Sequence, residues 1–327
     1  MDGRIIFTVP ALIRHAEIEL PARSRRFGNK PTVEVLDTNF IQSLPAPFNR
    51  ESFHIVRKGI YEHPAINVYM TQAEDFACLY PQPPFNYTQY EPRFRRLDLD
   101  EYRKHNQAIE KRYAKLRTYF DGSLSVLEIG SFDGAFLCLI KEHNDKLTLA
   151  SLEVDTNTKA ERDRPGWLRQ YTNFSELIGS NVRFDIVCFF HVLEHIADPA
   201  RFLSSCAKVL KPKARVIIEV PSLDDPLRTL YRLEEYEDFY FQAQHPYMYS
   251  DKSLCRLLER NDFRILSCFG HQRYGLENHM TWLTQKRPGG DETLRAMFAP
   301  IDEVYRKQLE ASGHTDAVIA VAEVARG

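Results

Sequence analysis

Cysteine is scarce in this 327-residue sequence, and no two are spaced Cys-x-x-Cys; Cys78, Cys138, Cys188, Cys206, Cys255 and Cys268 are scattered. That argues against a zinc ribbon or a dithiol motif, and several lie in apolar runs, where a thiol acts as a small hydrophobe. No apolar run approaches the roughly 20 residues that a membrane span needs. Met1-Asp-Gly-Arg-Ile-Ile-Phe7 lacks the charged, apolar and small-residue order of a signal peptide. A reduced, cytoplasmic protein is expected. An excess of one charge is missing too: 43 Lys and Arg against 45 Asp and Glu leave −2, which is no footprint for nucleic acid. Internal repeats and low-complexity tracts are absent. What remains is ordinary for a soluble globular chain, 43% hydrophobic and 27% charged, long enough for one large domain or two modest ones.

The stretch that organises the chain is Val126-Leu-Glu-Ile-Gly-Ser-Phe-Asp-Gly-Ala-Phe-Leu137. Apolar Val126, Leu127 and Ile129 lead into a Gly-x-x-x-Gly turn, and a helix-compatible run follows. This is the strand–turn–helix opening of a βαβ unit, with Gly130 and Gly134 where the backbone turns sharply or lets a ligand close. A dinucleotide site is the first rival, but its fingerprint is Gly-x-Gly-x-x-Gly. Here Phe132 takes the place of the middle glycine and Asp133 lies beside it, a poor cradle for a pyrophosphate.

Glu128-x-Gly130-x-x-x-Gly134 resembles motif I of the class I S-adenosylmethionine (SAM) dependent methyltransferases. Phe184-Asp-Ile-Val-Cys-Phe-Phe-His-Val-Leu-Glu-His-Ile-Ala-Asp-Pro199 resembles their fourth strand and the loop after it. Lys211-Pro-Lys-Ala resembles the turn into their fifth strand, where Lys-Pro-Gly-Gly is usual; Lys213 and Ala214 require either a φ < 0 turn or strain. His245-Pro-Tyr-Met-Tyr-Ser250 resembles the run that leads into a late helix. The Pro/aromatic connector Pro81–Tyr90 resembles the one before the catalytic domain in bacterial sugar and polysaccharide methyltransferases, many of which carry an upstream Cys-rich zinc module that this chain lacks.

The resemblance implies a Rossmann-like α/β fold: a seven-stranded doubly wound sheet, a β-rich N-terminal extension and a lid insertion. Residues 1–97 read as a β-rich module or arms, with short runs at Arg4–Val9, Glu17–Leu20, Thr32–Leu36, Ile66–Met70 and Phe76–Tyr80. A connecting helix is expected over 98–121, capped by Asp98 or Asp100. The catalytic domain spans 122–287, with its lid near 222–249, and 288–327 form a tail. Parallel strands are expected at Val126–Ile129, Leu147–Glu153, Leu168–Tyr171, Phe184–Phe189 and Arg215–Val220, closed by Phe263–Phe269 and Met280–Gln285. Ala200–Leu210 and Asp251–Asn261 read as helices. Glu292–Glu310 reads as a helix broken near Pro300, and Ala317–Val324 fits either helix or strand.

The resemblance also implies SAM as cofactor and S-adenosylhomocysteine as product. Gly130, Ser131, Phe132, Asp133 and Gly134 would border the methionine part, with Glu128 near its amino group. Glu153 would take the ribose hydroxyls, with Asp155 as fallback, because a carboxylate accepts two hydrogen bonds at once. Asn173 and Phe174 would lie by the adenine, and His191 beside the cofactor. Removing an acceptor proton needs a base near neutral pH, for which His195 is the first candidate, then His191 and His245. His191 and His195 do not form the His-Glu-x-x-His of a zinc protease, so no metal is expected there; adjacent Asp224 and Asp225 read as solvated acids. The implied reaction is O-methylation of a small molecule, preferably a sugar or nucleotide-sugar in glycan or natural-product biosynthesis. N- or C-methylation, or a SAM-binding scaffold without turnover, is the alternative, and a homodimer is left open.

Overall fold

A computed structural model describes residues 38–83, 99–154 and 166–325. The expected strands before residue 37, the acids Asp98 and Asp155 and most of the 81–90 connector lie outside these residues. Three β-prone runs, β1 (Phe53–Arg57), β2 (Asn67–Thr71) and β3 (Phe76–Tyr80), form an antiparallel meander. The tight turn before β3 is held by the buried Thr71 hydroxyl, which donates to Asp75 at 2.8 Å. Its core is aromatic: Phe48 stacks on Phe76 with centroids 3.7 Å apart, and Phe40 meets Phe53 edge-on.

A helix over Leu99–Leu116, tightening to a 3₁₀ turn at Arg117–Phe120, then leads into β4 (Ser125–Ile129). β5 (Thr148–Leu152), β6 (Arg169–Tyr171), β7 (Phe184–Phe190) and β8 (Leu210–Pro221) complete the parallel part of a large sheet. Helices at Ala135–His143, Phe174–Gly179 and Pro199–Lys208 make the crossovers. The last of these starts on Asp198, which accepts from the Arg201 amide, with Pro199 just inside, where its missing N–H costs nothing.

The strand order is β10-β11-β8-β7-β4-β5-β6, where β10 is Phe263–His271 and β11 is Ala317–Val324. β11 runs antiparallel to both neighbours. Two expectations are corrected here. Met280–Gln285 lies within the helix Leu276–Gln285, which turns His279 and Trp282 inward, one helical turn apart. The closing strand is Ala317–Val324, whose unbroken small and β-branched run is buried from Ala317 to Ala322 between two strands. Pro300 does not break its helix, which runs from Glu292 to Ser312.

Period two sorts the central strands into two layers. Leu127, Ile129, Val187 and Phe189 face one core, which continues through Leu203 and Leu254 to Phe40, Phe53 and Phe76 of the N-terminal meander. Val126, Ile186 and Cys188 face the other, against Ile109, Leu116, Phe136 and Ile140. β9 (Tyr247–Tyr249) ties the two sheets together, because it pairs antiparallel with β3 although it follows the lid. The next helix, Asp251–Arg260, begins with a reciprocal capping box between Ser250 and Ser253.

Candidate active site

The carboxyl ends of β4, β5, β7 and β8 meet at one edge of the sheet, where open α/β folds place their ligands. The turn after β4 carries positive φ at Gly130 (+71°), Phe132 (+45°) and Gly134 (+73°). Glycine is strongly favoured at 130, since a Cβ there would lie 2.6 Å from Val192 Cγ2 in the loop after β7. Three buried carboxylates surround this turn: Glu128, Asp133 and Glu153. Glu153 Oε2 accepts from the Phe132 amide at 2.9 Å, so the end of β5 holds the turn directly. Asp133 Oδ1 accepts from the Ala135 amide at 2.9 Å and thereby occupies the first turn of the following helix. A pyrophosphate would need that helix start for itself. Ser131 Oγ is buried and has no hydrogen-bond partner among the described residues. A buried acidic turn with an unused hydroxyl fits a ligand bearing an ammonium and a sulfonium, the charges of SAM.

The loop after β7 carries the histidines. His191 sits in the left-handed region (φ +56°), its amide donating to the Glu219 carbonyl at 2.8 Å. Its ring lies between two carboxylates, Nδ1 at 3.2 Å from Glu194 Oε1 and Nε2 at 2.9 Å from Glu219 Oε1, with Arg273 Nη1 beside Nε2. Glu219 is fully buried and receives both Nε and Nη2 of Arg112, at 2.6 and 3.2 Å. Burial pushes the Glu219 carboxyl up, but Arg112, His271 and the His191 hydrogen bond outweigh it and hold it well below the usual range. For Glu194, burial is likewise outweighed by the hydrogen bond from His191 and by His195 and His245 nearby.

His195 ends a 3₁₀ turn, Leu193–His195, and its Nδ1 lies 2.9 Å from the Gln244 carbonyl. Since a carbonyl only accepts, Nδ1 carries the proton. The His245 ring meets the His195 ring at 4.7 Å between centroids. Burial, with His195 alongside, lowers the His245 pKa to about 3, leaving it neutral at ordinary pH. Glu194, His195 and His245 each offer a ligand atom, all within 4.8 Å of one another, so they could hold a metal ion.

Of the residues singled out in the sequence, the structure gathers Glu128, Gly130, Ser131, Phe132, Asp133, Gly134 and Glu153 around one turn. It gathers His195 and His245 around Glu194. His191 joins that group to the buried ion network, because its ring bridges Glu194 and Glu219. Asn173 serves as the cap of the helix Phe174–Gly179, accepting from the Glu176 amide, and Phe174 packs edge-on against Phe202. Neither shows a further feature that marks an adenine pocket. Asp224 and Asp225 are buried rather than solvated; Asp225 accepts from the Leu227 amide and from the Tyr236 hydroxyl at 2.7 Å. Lys213 takes the strained alternative, with φ +59°. Arg112 and Glu219 escaped the reading of the sequence. The signal for Glu219 was a charge inside the apolar strand Val216–Val220, where a carboxylate must be paired.

A sequence profile of the methyltransferase domain family matches residues 99–268, which include the helix before β4, both loops described above and most of β10. The chain belongs to that family. Its seven-stranded sheet, with β11 antiparallel beside β8, is the class I arrangement expected from the sequence. Among curated relatives, the ubiquinone biosynthesis O-methyltransferase of Caulobacter vibrioides (strain ATCC 19089 / CIP 103742 / CB 15) is 33% identical over 123 residues, 35% of this chain and 46% of that protein. The protein of the same name from Caulobacter sp. (strain K31) is 33% identical over 111 residues, 31% of this chain and 42% of that protein. The match thus spans less than half the length of these relatives. Among solved structures, a SAM dependent methyltransferase from Archaeoglobus fulgidus has a TM-score of 0.46 at 21% identity, covering 73% of this chain and all of that one. Among the described residues, no helix is long and apolar enough to cross a membrane.

Proposed function

We propose that this methyltransferase moves the methyl group of SAM to a hydroxyl of a small molecule, in the cytoplasm. The observation that carries the reading is the acidic turn after β4, whose helix start is already taken by Asp133. Glu128, Ser131, Asp133 and Glu153 would hold SAM, with the backbone of Gly130 and Gly134 alongside. SAM supplies an electrophilic methyl carbon on a sulfonium. The chain has to align an acceptor oxygen with it, exclude water and take up a proton. His195 would accept that proton; its Nδ1–H on the Gln244 carbonyl supports this reading, since the lone pair then lies on Nε2. The names of the curated relatives favour oxygen as the atom methylated. A saccharide or nucleotide-sugar is the acceptor class we favour, on the resemblance of the 81–90 connector, with a ubiquinone-pathway acceptor as its rival.

Calorimetry with SAM and with NAD, followed by transfer from labelled SAM to panels of nucleotide-sugars, free sugars and phenols, tests the reading in order. SAM binding with label on a hydroxyl is the expected result, and the labelled panel separates the two acceptor classes. NAD binding without SAM affinity would end the assignment. SAM binding with no product from any panel or from cell extract favours a scaffold without turnover.

A further inference from the structure

Glu194 poses a problem that the methyl-transfer reading does not solve. Its side chain is 2% exposed, yet Oε2 has no hydrogen-bond partner among the described residues. A carboxylate oxygen buried in that way costs several kcal/mol unless something positive meets it. The other oxygen, Oε1, is already held by His191 Nδ1. Two imidazoles stand within 4.8 Å, on His195 and His245, and they come from segments 50 residues apart in the chain.

We propose that Glu194, His195 and His245 bind a zinc-class divalent cation. The donor set is two nitrogens and one oxygen, which suits a borderline first-row metal and leaves coordination positions open. The shell behind the ligands has the form that metal sites use. His195 donates Nδ1–H to a backbone carbonyl, which fixes its ring and tautomer and leaves the lone pair on Nε2. Glu194 is oriented by His191, and His191 in turn by Glu219. This set differs from the His191/His195 pair of the local sequence motif, because His245 arrives from beyond the lid.

A cation here would do two things. It would clip the turn after β7 to the segment entering β9, and so fix the lid's return to the sheet. It would also offer an open position to the acceptor hydroxyl, lowering that hydroxyl's pKa so that the proton passes to solvent. The oxygen would then form its bond to the methyl carbon as the carbon–sulfur bond breaks, and the electron pair of that bond would neutralise the sulfonium. The inference rests on the methyltransferase reading and changes the role of His195 within it, from base to ligand.

The test uses the full chain, stripped with a chelator and dialysed, and cobalt(II) as the probe, with zinc as competitor. One cobalt per chain, with visible absorption that zinc abolishes, is the expected result. Glu194→Gln and His245→Gln should each weaken cobalt binding by on the order of 100-fold, and His191→Gln by about 10- to 100-fold. Circular dichroism on each variant shows whether it folds, and His195→Gln serves if Glu194→Gln does not. Calorimetry with SAM on the same samples separates the two claims. SAM binding with no saturable cobalt or zinc binding overturns the metal site and leaves the methyltransferase reading standing. Cobalt binding that survives both His195→Gln and His245→Gln overturns it as well.

Discussion

The two ends of the crevice are built from different parts of the chain. At the β4–β5 end, the turn, its glycines and two of its three carboxylates lie within seven residues, and the third, Glu153, follows soon after. At the β7–β8 end, the decisive contacts bring together residues far apart: Arg112 with Glu219 across 107 positions, His191 with Arg273 across 82, and His195 with Gln244 across 49. The first end is a local motif that folding needs only to present. The second exists only once the sheet, the helix Leu99–Leu116 and the lid are all in place. Changes at the first should therefore act on cofactor affinity, and changes at the second on turnover and on the stability of the whole.

The largest effect tests that division most directly. His195→Ala should lower turnover by on the order of 10²–10⁴ while SAM affinity, read by calorimetry, stays nearly constant. A parallel loss of SAM affinity would merge the two ends. Next comes the buried ion pair. Arg112→Ala leaves Glu219 charged and fully buried, and should cost about 3–5 kcal/mol in urea unfolding. Arg112→Met combined with Glu219→Met should lose much less, because no lone charge remains. If the single and double variants unfold alike, the pair is not what holds β8 to the helix Leu99–Leu116.

The same difference explains how much could be read from the sequence. The strands β4, β5, β7 and β8 were legible because apolar runs and turn residues are local, as was the Ser250 cap. The glycine turn was legible because positive φ and a close approach leave few residue choices. Glu219 was visible only as an oddity, a charge in an apolar strand, and its partner lies in a helix whose surface reads as ordinary. The closing strand was misplaced for a related reason. Met280-Thr-Trp-Leu-Thr-Gln285 has strand-forming residues, but Trp282 packs against Tyr236 and Phe239 of the lid, which favours a helix. Ala317–Val324 has small residues that suit either state, and only its place between β10 and β8 decides for strand.

Gly130 is where the two ends touch, and it gives a smaller and sharper test. Gly130→Ala puts a Cβ 2.6 Å from Val192 Cγ2 at a φ of +71°. Together, the clash and the strained backbone should cost about 1–3 kcal/mol, measured by thermal or urea unfolding, and should weaken SAM binding. Adding Val192→Ala removes the clash but not the φ strain, so the double variant should recover part of the loss. Full recovery would mean that the left-handed backbone is no constraint here, and no recovery would mean that the loop after β7 does not press on the cofactor turn.

The last test concerns Asp225, at the start of the lid, and it separates the lid from both ends. Burial, reinforced by Asp316, raises its carboxyl pKa to about 7, against an ordinary 3.8. Between those two values the folded protein holds a proton that the unfolded chain has released. Stability from this group is therefore fully present below about pH 4 and is lost as pH rises toward 7, with a slope of up to about 1.4 kcal/mol per pH unit. Asp225→Asn keeps an oxygen for the Leu227 amide and stays neutral throughout, so that slope should vanish from urea midpoints taken between pH 4.5 and 7. His245 acts in the opposite sense: its pKa is lowered from 6.5 to about 3, so its contribution is present above pH 6.5 and lost as pH falls toward 3. The two slopes oppose each other over the shared range, which is why the variant is informative. With Asp225 silenced, the remaining stability should rise with pH from about 4 to 6.5, and a curve that still falls there would place the raised pKa on another group.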